Sequence, residues 1–181
     1  MKPKLTLITG MPGSGKTTLA DLLREKGYRV MTMGDVIRAE AERRGLTPSP
    51  ATLGQVAQAL REEGGESVIA ERCCELLGES PQPLQAIDGI RSMREVETFR
   101  KHFQTLLVAV HASPSTRFKR LKARGRSDDP HDPKVFHQRD ARELGFGVGE
   151  AIALADIMLV NEGSVEDLHR SASQALWGEK P

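Results

Sequence analysis

Aromatic residues make up only 4% of this 181-residue chain, and cysteine occurs twice, at the adjacent positions Cys73 and Cys74. Adjacent cysteines rarely bond to each other, and with no second pair there is neither a disulfide framework nor a zinc site to build. Reduced thiols on a helix, in a reducing cytoplasm, are the expected state. The scarcity of aromatics removes the stacking platforms that single-strand nucleic-acid binders use. An excess of one charge is missing too. Lysine and arginine number 26, aspartate and glutamate 25, for a formal net charge of +1. No overall field therefore draws the chain to nucleic acid or to an anionic membrane. No apolar run approaches the ~20 residues of a membrane span, and an apolar strand expected from residue 5 leaves no room for a signal peptide. No internal repeat or low-complexity linker is found. The length suits one compact domain with a proper core, expected over residues 1–181.

What is present begins at Leu5-Thr6-Leu7-Ile8-Thr9-Gly10-Met11-Pro12-Gly13-Ser14-Gly15-Lys16-Thr17-Thr18. Gly10 to Thr17 reads G-x-x-x-x-G-K-T, a phosphate-binding loop. Glycines let the backbone N–H groups turn inward around an anion, where side chains would block the approach. The following helix points its positive dipole end at the same anion. Lys16 supplies a charge for the β- and γ-phosphates, and Thr17 a hydroxyl for Mg²⁺. Both flanks suit the motif: an apolar strand precedes it, and Leu19, Leu22 and Leu23 follow at helical spacing up to Gly27. The chain is expected to bind a nucleoside triphosphate, through Gly10, Met11, Pro12, Gly13, Ser14, Gly15, Lys16, Thr17 and Thr18.

Along the rest of the chain, Tyr28–Met33 reads as a second strand ending at Gly34-Asp35. Residues from about 35 to 77 then read as helical throughout, with turns at Gly45, at Thr47–Pro50 and at Gly64-Gly65. That is longer than a plain crossover needs and suggests a helical flap. Leu84–Ile87 reads as a third strand ending in Asp88-Gly89, Thr105–Val110 as a fourth and Ile157–Val160 as a fifth. Helices are expected around Met93–Phe103, from Pro114, around Arg139–Glu143 and over Val165–Leu176. Strands alternating with helices imply a parallel sheet covered on both faces. The expected fold is thus α/β, a three-layer P-loop NTPase sandwich with a five-stranded parallel sheet, a helical acceptor flap and a short lid at about 120–142.

Ligands of such a sheet gather at the carboxyl ends of its strands. Those ends carry the phosphate loop, Gly34-Asp35 with Arg38, Asp88-Gly89 with Arg91, and Asn161-Glu162-Gly163-Ser164. Asp88 is the candidate second ligand of Mg²⁺ beside Thr17; a plain Asp-Gly turn is the alternative. Glycine rather than glutamate follows it, which counts against a motor-type hydrolase, and no guanine-reading motif is found. The basic run Arg117, Lys119, Arg120, Lys122, Arg124 and Arg126 is either a solvated helix face or a lid that neutralises charge on the transferred phosphoryl. The second reading ranks first, and nucleic acid third. His131 and His137 read as surface residues, and His111 is given no role.

With these motifs in view, the sequence resembles the P-loop small-molecule kinases, the group of adenylate, cytidylate and dephospho-coenzyme A kinases. In particular it is similar to a set of uncharacterised archaeal proteins described as adenylate-kinase-like, over nearly the whole chain. The stretches Met33–Arg38, Ile87–Arg91 and His111–Pro114 carry that likeness. The resemblance implies an acceptor-phosphate clamp of Gly34, Asp35 and Arg38, with Met33 where that family has Thr. It implies a second stretch, Asp88-Gly89-Ile90-Arg91, one residue shorter than the family's. Arg120, Arg124, Arg139 and Arg142 resemble its phosphate-binding arginines, and the long zinc-bearing lid is absent. Ala155-Asp156 and the loop Asn161–Ser164 look more like dephospho-coenzyme A kinase, where this backbone lies by the adenine, so Asn161 and Gly163 are placed with the ATP. Catalysis is expected from Lys16, Asp35, Arg120 and Arg124, with Asp35 as base if the acceptor is a hydroxyl. Gly34, Asp35, Arg38, Asp88, Gly89, Arg91 and Arg139 would hold the acceptor. Abundant arginine favours a phosphate acceptor. The expected activity is ATP- and Mg²⁺-dependent phosphoryl transfer to a small phosphate-bearing acceptor resembling a nucleoside monophosphate, with no membrane and no nucleic acid involved. Transfer to a ribose hydroxyl, or an ATPase switch on a kinase fold, are the alternatives. The acceptor's identity, ATP against GTP and the oligomeric state are left open.

Overall fold

The computed structural model describes residues 2–126 and 129–178. Strands β1 (Lys4–Thr9), β2 (Arg29–Thr32), β3 (Gln85–Ile90), β4 (Gln104–His111) and β5 (Ile157–Val160) form one sheet in the order β2-β3-β1-β4-β5, with every pairing parallel. Alternation along β1 explains why it can be central. Leu5 and Leu7 enter one buried cluster and Ile8 the other, on the opposite face. The chain leaves β1 toward β2 and β3 and later crosses to β4 and β5. The loops at the carboxyl end of β1 therefore lie at the point where the strand order turns, which is where open α/β sheets bind ligands.

Helices α1 (Lys16–Glu25) and α9 (Val165–Trp177) cover one face and bury Leu19, Leu23 and Leu168 against Ile8, Val108 and Leu159. On the other face lie α5 (Met93–His102) and α8 (Val148–Ala153). The insertion after β2 consists of α2 (Met33–Arg43), α3 (Pro50–Gly64) and α4 (Val68–Glu79), and α6 (Pro114–Arg124) and α7 (Pro133–Gly145) follow β4. The expected lid spans α6 and α7; Ser127 and Asp128, between them, lie outside the described residues.

The insertion is more than an appended flap. Its Val56, Leu60, Ile69, Cys73 and Leu77 belong to the same buried cluster as Ile87 and Ile90 of β3 and Phe99 of α5. Three short helices with apolar faces cannot bury them alone, so they borrow the sheet's. Cys73 and Cys74 are buried here, and burial pushes their thiols up to about 12 and about 11. They are packing residues, protonated and inert.

Two boundaries and one helix differ from expectation. The second strand stops at Thr32, because the Thr32 hydroxyl accepts the Asp35 N–H at 3.1 Å and the Asp35 carboxylate accepts the Thr32 N–H at 2.7 Å. This capping box starts α2 at Met33 and puts Gly34 and Asp35 in its first turn. The third strand continues through Asp88 to Ile90: Ile8 pairs with Asp88 but Thr9 with Ile90, so Gly89, at φ +103°, is an extra residue in the ladder. Such a bulge needs a left-handed residue and re-aims its neighbours. Asp88 is thus a strand residue before a bulge, and the simple turn is excluded. The six-residue α8 went unread in the sequence.

Glu40 of α2 is the polar pin of the insertion. Only 4% exposed, it accepts hydrogen bonds from Arg43 (2.8 and 2.7 Å), Arg44 (2.6 Å) and Arg72 of α4 (3.0 Å). The Arg43 hydrogen bonds first, then those of Arg44, hold its carboxyl far below the ordinary 4.5. A pKa lowered by folding contributes stability that is present above the unfolded value and fades as pH falls below it. The urea midpoint of wild type should therefore exceed that of Glu40→Gln most at pH 6–7, with the gap shrinking by pH 3. A gap independent of pH would contradict the assignment.

Candidate active site

The phosphate loop is shaped by what surrounds it. A Cβ on Gly10 would collide with the Val110 carbonyl oxygen at the end of β4. One on Gly13 would meet the Arg117 carbonyl oxygen of α6 at 2.9 Å, and one on Gly15 would overlap the Asn161 side-chain amide. All three have positive φ. The glycines are therefore required by close packing of the loop on its own protein as well as by access for an anion. Ser14 is fully buried behind the loop, whereas Gly10, Pro12, Gly13, Gly15, Lys16, Thr17 and Thr18 line a cleft of about 390 Å³.

Lys16 Nζ donates to the carbonyl oxygens of Gly10 (2.8 Å) and Met11 (3.2 Å). Its burial pushes the ammonium pKa down, opposed chiefly by the charge of Asp88. Burial in turn pushes the Asp88 carboxyl up, opposed by Lys16. One Asp88 oxygen, Oδ1, is buried without a hydrogen-bond partner. An orphaned carboxylate oxygen beside the loop is a group placed to take a partner from outside the chain. The donor set suits Mg²⁺, which takes one or two protein oxygens and completes its shell with water and substrate phosphates. Thr17 and Asp88 would hold it. No cluster of three or more His, Cys, Asp or Glu that could form an all-protein cage exists among the described residues.

Five arginines join Lys16 around the cleft: Arg91, Arg120, Arg124, Arg126 and Arg139. Buried carboxylates set several of them in place. Asp129 accepts from Arg124 Nε (2.8 Å) and Nη2 (2.5 Å), from Arg139 Nη1 (3.2 Å) and from the Arg126 backbone N–H (3.0 Å). The hydrogen bonds of Arg124 outweigh burial and hold the Asp129 carboxyl down at about 2. Glu143 of α7 pairs with Arg91 Nε at 3.3 Å.

Arg117, one of the basic run, has a different task. Only 3% exposed, it makes a two-pronged pair with Asp140 of α7 (2.8 and 2.6 Å). It also donates to the carbonyl oxygens of Pro12 (3.2 Å) and Ala112 (3.2 Å). One guanidinium thereby ties the phosphate loop, the end of β4 and α7 together. Nothing in the charge run distinguished it from its solvated neighbours; the apolar spacing to Leu121 was the available signal.

A second cleft of about 370 Å³, lined by Asn161, Gly163 and Leu168, shares Gly15, Thr18 and Arg120 with the first. Asn161 Nδ2 donates to the Ser14 carbonyl oxygen at 2.8 Å. Arg120 donates to the backbone oxygens of Asn161 (2.9 Å) and Gly163 (3.1 Å). These bonds make Arg120 the brace of the loop after β5, a placement different from an arm closing over the transferred group.

A third cavity, of about 160 Å³, lies between the insertion and β3. Lys16, Gly34, Asp88, Gly89, Arg91 and Glu95 line it, together with Arg61. Asp35 and Arg38 do not. The Arg38 guanidinium pairs with Asp35 and donates to the Thr32 hydroxyl at 3.2 Å. Burial raises the Asp35 pKa, but the Thr32 N–H and the Arg38 guanidinium outweigh it and hold the carboxyl below its usual value. A cap residue with lowered basicity is poorly suited to taking a proton. Arg61, Glu95, Asp129 and Phe146 were missed by sequence reasoning. Phe146 meets Arg61 and Arg91 across a long sequence separation, whereas Asp129 and Glu95 act on arginine segments only a few residues away.

The family model described as "AAA domain" matches residues 9–136. A UPF0200 protein of Hyperthermus butylicus is 48% identical over 172 residues, covering 95% of this chain and 92% of that one. Among solved structures, TT1252 from Thermus thermophilus superposes with a TM-score of 0.68 at 24% identity, covering 100% of both chains. A shikimate kinase from Acinetobacter baumannii, in complex with shikimate, does so at 0.58 and 19% identity, covering 99% of this chain and 96% of that one. At such identities these likenesses establish the fold alone.

If Asp88 is a metal ligand, Mg²⁺ should strengthen ADP binding to wild type by ~10-fold or more, and this gain should vanish in Asp88→Asn. Calorimetric titration with and without Mg²⁺ checks it; an undiminished gain in the variant would remove Asp88 from the shell.

Proposed function

The chain belongs to the UPF0200 family and to the AAA domain family, on a P-loop kinase fold, and from that premise we propose that it is an ATP-dependent phosphotransferase acting on a small, phosphate-bearing, nucleotide-like acceptor. The observation that carries the reading is the convergence of Lys16 and five arginines on one cleft at the end of β1, with a further cavity of about 160 Å³ adjoining it at Lys16, Gly89 and Arg91.

The nucleotide's phosphates would lie along the loop N–H groups and the first turn of α1. Its base would lie in the cleft of Asn161, Gly163 and Leu168, beside the guanidinium of Arg120. Mg²⁺, held by Thr17 and Asp88, would supply charge neutralisation to the β- and γ-oxygens. Lys16 would leave its two loop carbonyls for the same oxygens. Arg124 and Arg139, steadied by Asp129, would face the charge that spreads over the transferred group in a loose transition state. In the step itself an acceptor oxygen forms a bond to the γ-phosphorus, the bond to the β,γ-bridging oxygen breaks, and ADP leaves. A phosphate acceptor needs no base for this, which agrees with the engagement of Asp35 in a helix cap.

The test is incubation of ATP·Mg²⁺ with nucleoside monophosphates, dephospho-coenzyme A and small hydroxy acids, with hydrolysis followed in parallel. Transfer to one acceptor is expected, reduced at least ~10³-fold in Lys16→Ala. Hydrolysis stimulated by none of them would favour an ATP-driven switch and contradict the proposal.

A further inference from the structure

We propose that Arg61, on α3 of the insertion, joins Arg91 in binding the anionic group of the phosphoryl acceptor. The inference rests on the kinase reading and names the charge the acceptor must carry. Arg61 and Arg91 come from different layers of the molecule, yet their guanidinium carbons lie 5.9 and 5.8 Å from the centroid of one ring, that of Phe146. Both line the 160 Å³ cavity beside Lys16. Arg91 has a carboxylate partner in Glu143. Arg61 forms no ion pair among the described residues; it donates to the Ala57 carbonyl oxygen of its own helix at 3.3 Å. Like charges gathered on one surface repel, and an anion between them relieves the repulsion. Guanidinium forks match carboxylate or phosphate two oxygens at a time. Phe146, 45% exposed, lies within cation–π range of each guanidinium.

The rest of the cavity says what else the acceptor carries. Met33, Ile37 and Ile69 form an apolar wall. The carboxylates of Asp88 and Glu95 line it as well; Glu95 is 5% exposed, accepts the Arg91 backbone N–H at 2.8 Å, which holds the Arg91 segment in place, and feels the charges of both Arg91 and Arg61. A cavity of roughly 150 Å³ accommodates a benzene-sized group. Within the kinase reading, this cavity would take the anion-bearing end of the acceptor together with a ring-sized part of it. Arg38, the expected clamp, is occupied by Asp35 and Thr32; α3, rather than α2, delivers the insertion's cation.

The experiment reads the side-chain Nε–H signals of arginine by NMR in the full chain, with the nucleotide site first filled by ADP·Mg²⁺. Sulfate and acetate are then titrated separately, as tetrahedral and planar anions. Saturable shifts of Arg61 and Arg91 together are expected, and the anion that produces them at lower concentration tells phosphate from carboxylate. In Arg61→Met the apparent Kd read at Arg91 should rise at least ~10-fold, with Arg61→Lys between. The ADP titration of each variant shows whether it is folded, and the wild-type shifts stand without either. Bound ADP with an unmoved Arg61, or an Arg91 response unchanged in Arg61→Met, would overturn the inference and leave the nucleotide reading intact. Failure of ADP to bind would overturn both.

Discussion

The phosphate loop of this protein is held in a space that only glycine fits, and most of the site follows from that constraint. Three neighbours press on it: the end of β4 at Gly10, the first turns of α6 at Gly13 and the side chain of Asn161 at Gly15. The loop's backbone path is thereby set by its own protein, without help from a ligand. Each neighbour also leads somewhere. Beyond β4 and α6 lies Arg117, whose guanidinium reaches Asp140 in α7. Beyond Asn161 lies Arg120 and the cleft assigned to the base. The loop is thus tied to α7 on one side and to the loop after β5 on the other.

A second principle organises the cations. Arginine side chains are long and lose much entropy when ordered, yet several around this site are placed by carboxylates behind them: Asp129 for Arg124 and Arg139, Glu143 for Arg91 and, behind the loop, Asp140 for Arg117. The backing charges lower the net field that the arginines present, but they fix direction, and direction is what a charge-stabilising site requires. Such pairs are weak contributors to stability once desolvation is counted. Their value here lies in preorganisation.

The sequence was most legible where local chemistry decides structure. The strand, glycine loop and leucine-spaced helix from Leu5 to Leu23 were readable because each step has a short-range cause, as were Ser113-Pro114 before α6 and the last helix after Ser164. Parallel topology followed from alternation of elements. Legibility ended where partners are remote. The bulge at Gly89 depends on register with β1, 81 residues away in the Thr9–Ile90 contact, and it made Asp88 a strand residue instead of a turn. The resemblance placed Arg38 in the acceptor clamp, but a capping box and an ion pair one turn long claim both Asp35 and Arg38. Arg61, on a helix whose apolar face alone could be read, reaches the cavity through packing of the insertion on the sheet.

The central claim, that one cleft serves a nucleotide donor and a neighbouring cavity a small anionic acceptor, is tested most directly by following the γ-phosphoryl itself. The full chain would be given γ-labelled ATP·Mg²⁺ and a filtered small-molecule extract over a single turnover, and the label located by chromatography. The account predicts label on a small organic anion, formed faster than inorganic phosphate. Label released only as inorganic phosphate, at the same rate with and without the extract, would contradict it.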